Sequence, residues 1–131
     1  MAQFRYAPPL ERLAPYAPIQ TIELLDGREV IARATWQPLA SVPGACQLLR
    51  AEVAAEQRRR GNGSQVLAEA IRQARLHTKS EGAPLRRMIT LIPQPNVIAR
   101  AWLVRNGFVH SNTLNDVAVA GELLVMLRTF S

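Results

Sequence analysis

Three arginines run directly into two glycines in the segment Arg58-Arg59-Arg60-Gly61-Asn62-Gly63-Ser64. Guanidinium groups grip anions through paired N–H donors, and glycines let a backbone wrap closely round a ligand. The apolar spacing predicts a helix that opens at Ser64. The first turn of any helix leaves its N–H groups unpaired and partly positive. Together these features suit a phosphate-bearing guest, and a pyrophosphate is the natural one. A plainer reading is that Gly61 and Gly63 shape a strand-to-helix turn while the arginines stand in water. The run is not a P-loop, because no Gly-Lys-Ser/Thr follows. Nor is it the Gly-x-Gly-x-x-Gly dinucleotide fingerprint, because position 66 is Val.

Other chemistry-bearing residues are few. Cys46 is the single cysteine, so it closes no internal disulfide, and a reducing cytoplasm is the default compartment. As a nucleophile it needs a depressed pKa and an adjacent base. Glu52 and His110 are candidates for proton transfer; Glu52 can equally pair with a nearby arginine, and His110 can be a surface residue at a strand end. His77 and His110 have no acidic or cysteine partner at ligand spacing, so no metal site is expected. Trp36 and Trp102 could stack on a ligand, but Trp102 lies on an apolar helix stripe and is read as core; Trp36 is open.

The elements that must position these residues follow from periodicity. Residues 1–18 hold four prolines and read as an irregular, Pro-rich arm. Residues 19–131 read as one domain. Ile19–Leu25 and Glu29–Trp36 are predicted strands of a hairpin round Asp26-Gly27. Residues 45–53 form a third strand. Val66, Leu67, Ala70, Ile71 and Ala74 make the stripe of an amphipathic helix from Ser64 to about Thr78. Arg86–Ile92 reads as a buried strand. A second helix runs from about Asn96 to Arg105, with Val97, Ile98, Ala101 and Trp102 on one face and Asn106-Gly107 as its stop. Phe108–His110 and Leu123–Phe130 are further strands.

On these residues a resemblance appears. Val53-Ala54-Ala55-Glu56-Gln57-Arg58-Arg59-Arg60-Gly61-Asn62-Gly63-Ser64 resembles the acyl-CoA signature of the GNAT superfamily of N-acyltransferases. That signature is a strand ending in Val, a short loop, then Arg/Gln-x-x-Gly-x-Gly/Ala opening a helix. Asn96, Ala99, Ala101 and Asn106-Gly107-Phe108 are similar to the family's second block, an Asn-x-x-Ala helix ending in Gly-Phe. One helix and one strand separate the blocks, as in the family. The resemblance implies an α/β (α+β) fold with a mixed, mostly antiparallel central sheet of about six strands and two main helices, N-terminally shortened. It implies acetyl-CoA, or another acyl-CoA, as co-substrate, with no metal, and direct attack by an amine. Arg58 to Ser64 would hold the pyrophosphate and Asn96 the pantetheine arm. The arm would lie where the strand 45–53 splays from its neighbour at a bulge. The thioester would sit by Glu52 and Val53, where backbone N–H groups can polarise its carbonyl.

Two positions depart from the family pattern. Its usual tyrosine acid is Leu103 here, and its usual glutamate is Gln47. A catalytically silent acyl-CoA sensor or scaffold is therefore the alternative to an N-acyltransferase. The strand and two helices that the family places before its first hairpin do not fit in residues 1–18. An open acceptor site, taking a small molecule or a protein tail, or one completed by a homodimer partner, would follow.

The composition sets the remaining bounds. A chain of 131 residues with 48% hydrophobic and 20% charged content is globular rather than disordered. No apolar run approaches the ~20 residues of a membrane span, so no membrane association is expected. Net charge is +6, and fifteen of the sixteen bases are arginine. A polyanion or a phosphorylated small molecule would account for this. Nucleic acid is disfavoured by the arginine run 58–60, which has no aromatic residue within ten positions.

Overall fold

Side chains alternate across a strand, so the pattern of apolar residues decides which face of a sheet meets a helix. The computed structural model describes residues 2–6, 19–39, 42–54, 61–114 and 121–131. The strands are β1 (Ala2–Tyr6), β2 (Gln20–Asp26), β3 (Glu29–Pro38), β4 (Ala45–Val53), β5 (Arg87–Pro93), β6 (Val109–Leu114) and β7 (Leu123–Thr129). The helices are α1 (Asn62–Ser80) and α2 (Val97–Arg105). Among the described residues seven strands and two helices make an α+β fold that is mostly antiparallel. The chain divides into two compact units, Met1–Leu85 and Arg86–Ser131.

In the first unit β1, β2, β3 and β4 follow one another in an antiparallel sheet. Ile22, Leu24, Ala32, Ala34, Trp36, Cys46 and Leu48 are buried on one face. α1 covers that face with Val66, Leu67, Ala70, Ile71 and Ala74, all buried. These five are the stripe that the sequence predicts. Burying a side chain of Leu or Val size contributes about 1.5–3 kcal/mol.

The other face is charged. Arg5, Glu23, Arg33 and Glu52 stand directly opposite one another on four consecutive strands. Their signs alternate, which is the favourable arrangement for cross-strand neighbours. Glu23 is buried between Arg5 and Arg33, each 2.8 Å away. Arg33 also lies 3.8 Å from Glu52, which Arg50 approaches at 3.0 Å. A second buried carboxylate ties β1 to α1: Tyr6 Oη donates to Glu69 at 2.9 Å, and Arg72 donates to the same group.

In the second unit the order is β5-β7-β6, again antiparallel. Met88, Thr90, Ile92, Leu124 and Met126 are buried on one face of β5 and β7, and Leu103 and Phe108 are buried as well.

Four features differ from the sequence reading. Ala2–Tyr6 form an edge strand where an irregular arm is predicted; the proline argument holds only from Pro8 onward, and an edge position tolerates so short a strand. The rest of that arm, residues 7–18, lies outside the described residues. β5 alternates buried and exposed positions and is not buried on both faces, because its ladder partner β7 does the same. The stripe on α2 is not its buried side: Val97 and Ile98 are 68% and 79% exposed, while Leu103 is 2% exposed. A helix of nine residues is held here through its last turn, where Phe108 N donates to Leu103 O at 3.0 Å. The hairpin loop is Gly27-Arg28, with Asp26 paired to Glu29 as the last rung.

The carboxylates dictate how stability depends on pH. Hydrogen bonding from Arg33 holds Glu23 below its ordinary value of 4.5, and Arg72 does the same for Glu69. A depressed folded-state pKa gives stability that is present above the unfolded value and lost as pH falls through the folded one. The melting temperature should therefore fall as pH is lowered below about 4.5, and Glu23→Gln should flatten that fall. An equal slope in the variant, measured by thermal scans from neutral to acid pH, would contradict this.

Candidate functional site

The site begins on β4. Thr35 pairs with Arg50 but Trp36 pairs with Leu48, so Leu49 is an extra residue and forms a bulge. A bulge leaves backbone groups out of the ladder and bends the strand. Beyond it, Ala54 N donates to Ile31 O at 3.0 Å. A cavity of about 200 Å³ lies at this end of the strand pair, lined by Val30, Ile31, Ala32, Arg33, Glu52, Val53 and Ala54. Glu52 and Val53, chosen from the sequence, are thus part of one wall. The carboxylate of Glu52 is engaged by Arg50 and Arg33.

The chain then passes through residues 55–60, and Arg58, Arg59 and Arg60 lie outside the described residues. It re-enters at Gly61, which caps α1 in the left-handed conformation, φ 77 and ψ 5. An L side chain is strained there, and no atom lies within 4 Å of where a Cβ would be. The cap therefore offers no side chain to the helix, and the first turn contains no acid. Gln65 N donates to Gly61 O at 3.0 Å, which is the first helical bond. The N–H groups of Gly63 and Ser64 precede it, at the positive end of the helix dipole. Asn62 and Gly63 are buried and Ser64 is exposed. Such a terminus accepts an anion without displacing any carboxylate.

Asn96 lies in the second unit as the cap of α2. Its Oδ1 accepts from Ala99 N at 3.1 Å. The capping bond uses only the carbonyl end, so the two amide hydrogens on Nδ2 remain as donors on an exposed side chain.

The candidates for proton chemistry have different fates. Cys46 is fully buried, and desolvation pushes its thiol up to about 12, so it stays protonated and unreactive at neutral pH. His110 is exposed on β6 with Nε2 2.9 Å from Thr113 Oγ1. Gln47 is half-buried opposite Gln37. Leu103, where the resemblance places a tyrosine, is the one buried residue of α2. Trp36 is buried, edge-on to His77 with centroids 6.2 Å apart, and its indole N–H has no partner among the described residues. Trp102 is half-buried rather than core. Among the described residues no three His, Cys, Asp or Glu side chains could hold a metal ion, and no helix is long and apolar enough to cross a membrane.

Sequence reasoning named the stretch around the bulge but not the residue. A bulge is set by the register of two strands, and no residue type in Leu48-Leu49-Arg50 announces it.

Solved structures share this architecture. A GNAT-family protein from Desulfovibrio desulfuricans superposes with a TM-score of 0.74 at 19% identity, covering 85% of this chain and 68% of that one. The PaiA N-acetyltransferase from Thermoplasma acidophilum, solved in complex with coenzyme A, gives 0.65 at 16% identity, covering 86% of this chain and 61% of its own. A ribosomal-protein-alanine N-acetyltransferase from Brucella melitensis gives 0.69 at 23% identity, covering 87% and 69%. No protein-family model and no curated protein matches the sequence. The chain has the GNAT fold.

The state of Cys46 is checked with a thiol reagent at pH 8. The native protein should label negligibly, and unfolding in guanidinium should expose one reactive thiol. Rapid labelling of the native chain would contradict the buried, protonated thiol.

Proposed function

We propose that the protein is an acyl-CoA-dependent N-acyltransferase, most simply an acetyltransferase. The observation that carries this reading is the glycine-capped, acid-free start of α1 behind a bulged β4 within the GNAT fold. In this reading Arg58, Arg59, Arg60, Gly61, Asn62, Gly63 and Ser64 hold the pyrophosphate of the co-substrate, and Asn96 donates to the pantetheine arm from Nδ2. The thioester lies along β4 beside Glu52 and Val53. The amine nitrogen forms a bond to the thioester carbonyl carbon, the C–S bond breaks, and coenzyme A leaves as the thiolate, which takes up the proton that the nitrogen releases as the amide forms. Backbone N–H groups of β4 beside the thioester would stabilise the oxygen on which charge develops. Glu52 is assigned to receive the proton of the incoming ammonium. The acceptor is a small-molecule amine or a protein terminus.

A second reading has its own support. Leu103 is core where the family's acid would stand, and Cys46 is a protonated buried thiol. A protein so built could bind acyl-CoA without turning it over, as a sensor or scaffold.

Thermal shift and thiol release separate the readings. A ligand at a hundred times its Kd stabilises by about 2.7 kcal/mol, so saturating acetyl-CoA should raise the melting temperature by roughly 10 °C. Gly61→Asp should abolish the shift, because it strains the cap and places a carboxylate where the diphosphate would lie. No shift with any CoA ester contradicts both readings. Release of free thiol in the presence of an amine panel supports the transferase, and a shift without release supports the sensor. If turnover is found, Glu52→Gln should lower kcat/KM for the amine by about a hundredfold and leave the acetyl-CoA shift unchanged.

A further inference from the structure

A second cavity opens within the first unit, and the coenzyme reading leaves it unused. Its volume is about 300 Å³. Ile22, Trp36 and Leu76 line it, with the rings of Tyr6 and His77. Tyr6 stands opposite Ile22, and Gln20 opposite Trp36, so β1, β2 and β3 present these four residues on the face that α1 covers. From α1 come Gln73, Leu76 and His77. They lie about three to four turns beyond Asn62, roughly 16–22 Å along the helix axis. Among the described residues this cavity shares no lining residue with the one beside Glu52.

Two observations mark it as a binding site. Trp36 is buried, yet its indole N–H has no hydrogen-bond partner among the described residues. A buried donor left unpaired costs stability, and native structures keep few of them. Tyr6 and Leu76, at the same cavity, leave about half their surface in water. An apolar wall with a few polar groups is what small-molecule pockets offer.

The lining also sets the charge of the guest. The indole is a donor only, so it calls for an acceptor and opposes a cation. The cavity lies by the last turns of α1, the negative end of that helix, which opposes an anion. The nearby carboxylates are engaged. Glu69 accepts from Tyr6 and Arg72, and Glu81 lies 3.9 Å from His77 Nε2.

We propose that this cavity binds a small, neutral aromatic amide or lactam whose carbonyl oxygen accepts from the Trp36 indole N–H. The ring packs against Ile22 and Leu76 and among Tyr6, Trp36 and His77. The N–H of the guest finds an acceptor in the side-chain amide of Gln20 or Gln73. A volume of about 300 Å³ suits a single ring or a fused pair. The site is additional to the start of α1, from which the length of the helix separates it.

The test is NMR titration of the isotope-labelled full chain with benzamide, nicotinamide and carbostyril, followed at the indole N–H resonances. Trp36→Phe identifies the Trp36 signal by its loss. That signal should move downfield as its proton gains an acceptor, saturating with a Kd of about 10 mM or tighter for at least one probe. Toluene has the ring without the acceptor and should bind about tenfold more weakly. Benzoate and benzylamine carry charge and should bind more weakly still. Leu76→Glu puts a carboxylate on the cavity wall and should weaken binding about tenfold. The proposal is overturned by an indole signal that none of the three probes moves, by equal affinity for toluene, by tighter binding of benzoate or benzylamine, or by unchanged affinity in Leu76→Glu. An indole proton that cross-relaxes with water and that no probe displaces assigns its partner to a buried water, and overturns the proposal as well. Each variant's melting temperature shows that a loss is not unfolding.

Discussion

The proposed function turns on the positive end of a helix that opens at a glycine. A backbone that enters α1 through a left-handed glycine cannot cap its own first turn with a side chain. Its first-turn N–H groups lie at the positive end of a helix of nineteen residues. Ser, Thr, Asn or Asp at such a position stabilises a helix by about 1 kcal/mol over Ala, but by only roughly a few tenths over Gly. In the proposed function a bound anion would complete a terminus to which glycine brings no side-chain cap. The bulge at Leu49 belongs to the same design, because it frees backbone groups on the strand that leads into the helix.

The first unit can hold that terminus in place because its sheet has two unlike faces. One is apolar and covered by α1. The other carries Arg5, Glu23, Arg33 and Glu52 in register and is stable in contact with water. Each charge is neutralised by a neighbour on the next strand, so the sheet gains cross-strand attraction where other proteins would need a covering layer. Glu69 serves the same end on the helix side, where it fastens the edge strand through Tyr6. The family places a strand and two helices before its first hairpin, and the sequence reading is that these do not fit in residues 1–18. The edge strand is present, and only residues 7–18 separate its last residue from the start of the hairpin segment at Ile19.

Much of this was legible in the residues, for reasons that are local. The α1 stripe at Val66, Leu67, Ala70, Ile71 and Ala74 has an unambiguous period, and glycine at 61 between a strand and a helix has few alternative uses. What escaped notice was set by pairing between distant segments. The bulge depends on β3 and β4 together. The charged row needs four strands in register before Arg5 meets Glu23. The burial of Leu103 in place of the Val97 and Ile98 stripe depends on Phe108 folding back onto the last turn of α2. The first strand is not legible because four prolines mark residues 1–18 as irregular, although none falls in residues 2–6.

The central claim is that the amides opening α1 hold a diphosphate. The most direct measurement is an amide-resolved NMR titration of the uniformly labelled chain with coenzyme A. The account predicts that the resonances of Gly61, Gly63 and Ser64 move first and furthest, and saturate together with that of Asn96. Perturbations confined to other segments, with those amides unmoved at saturation, would contradict it.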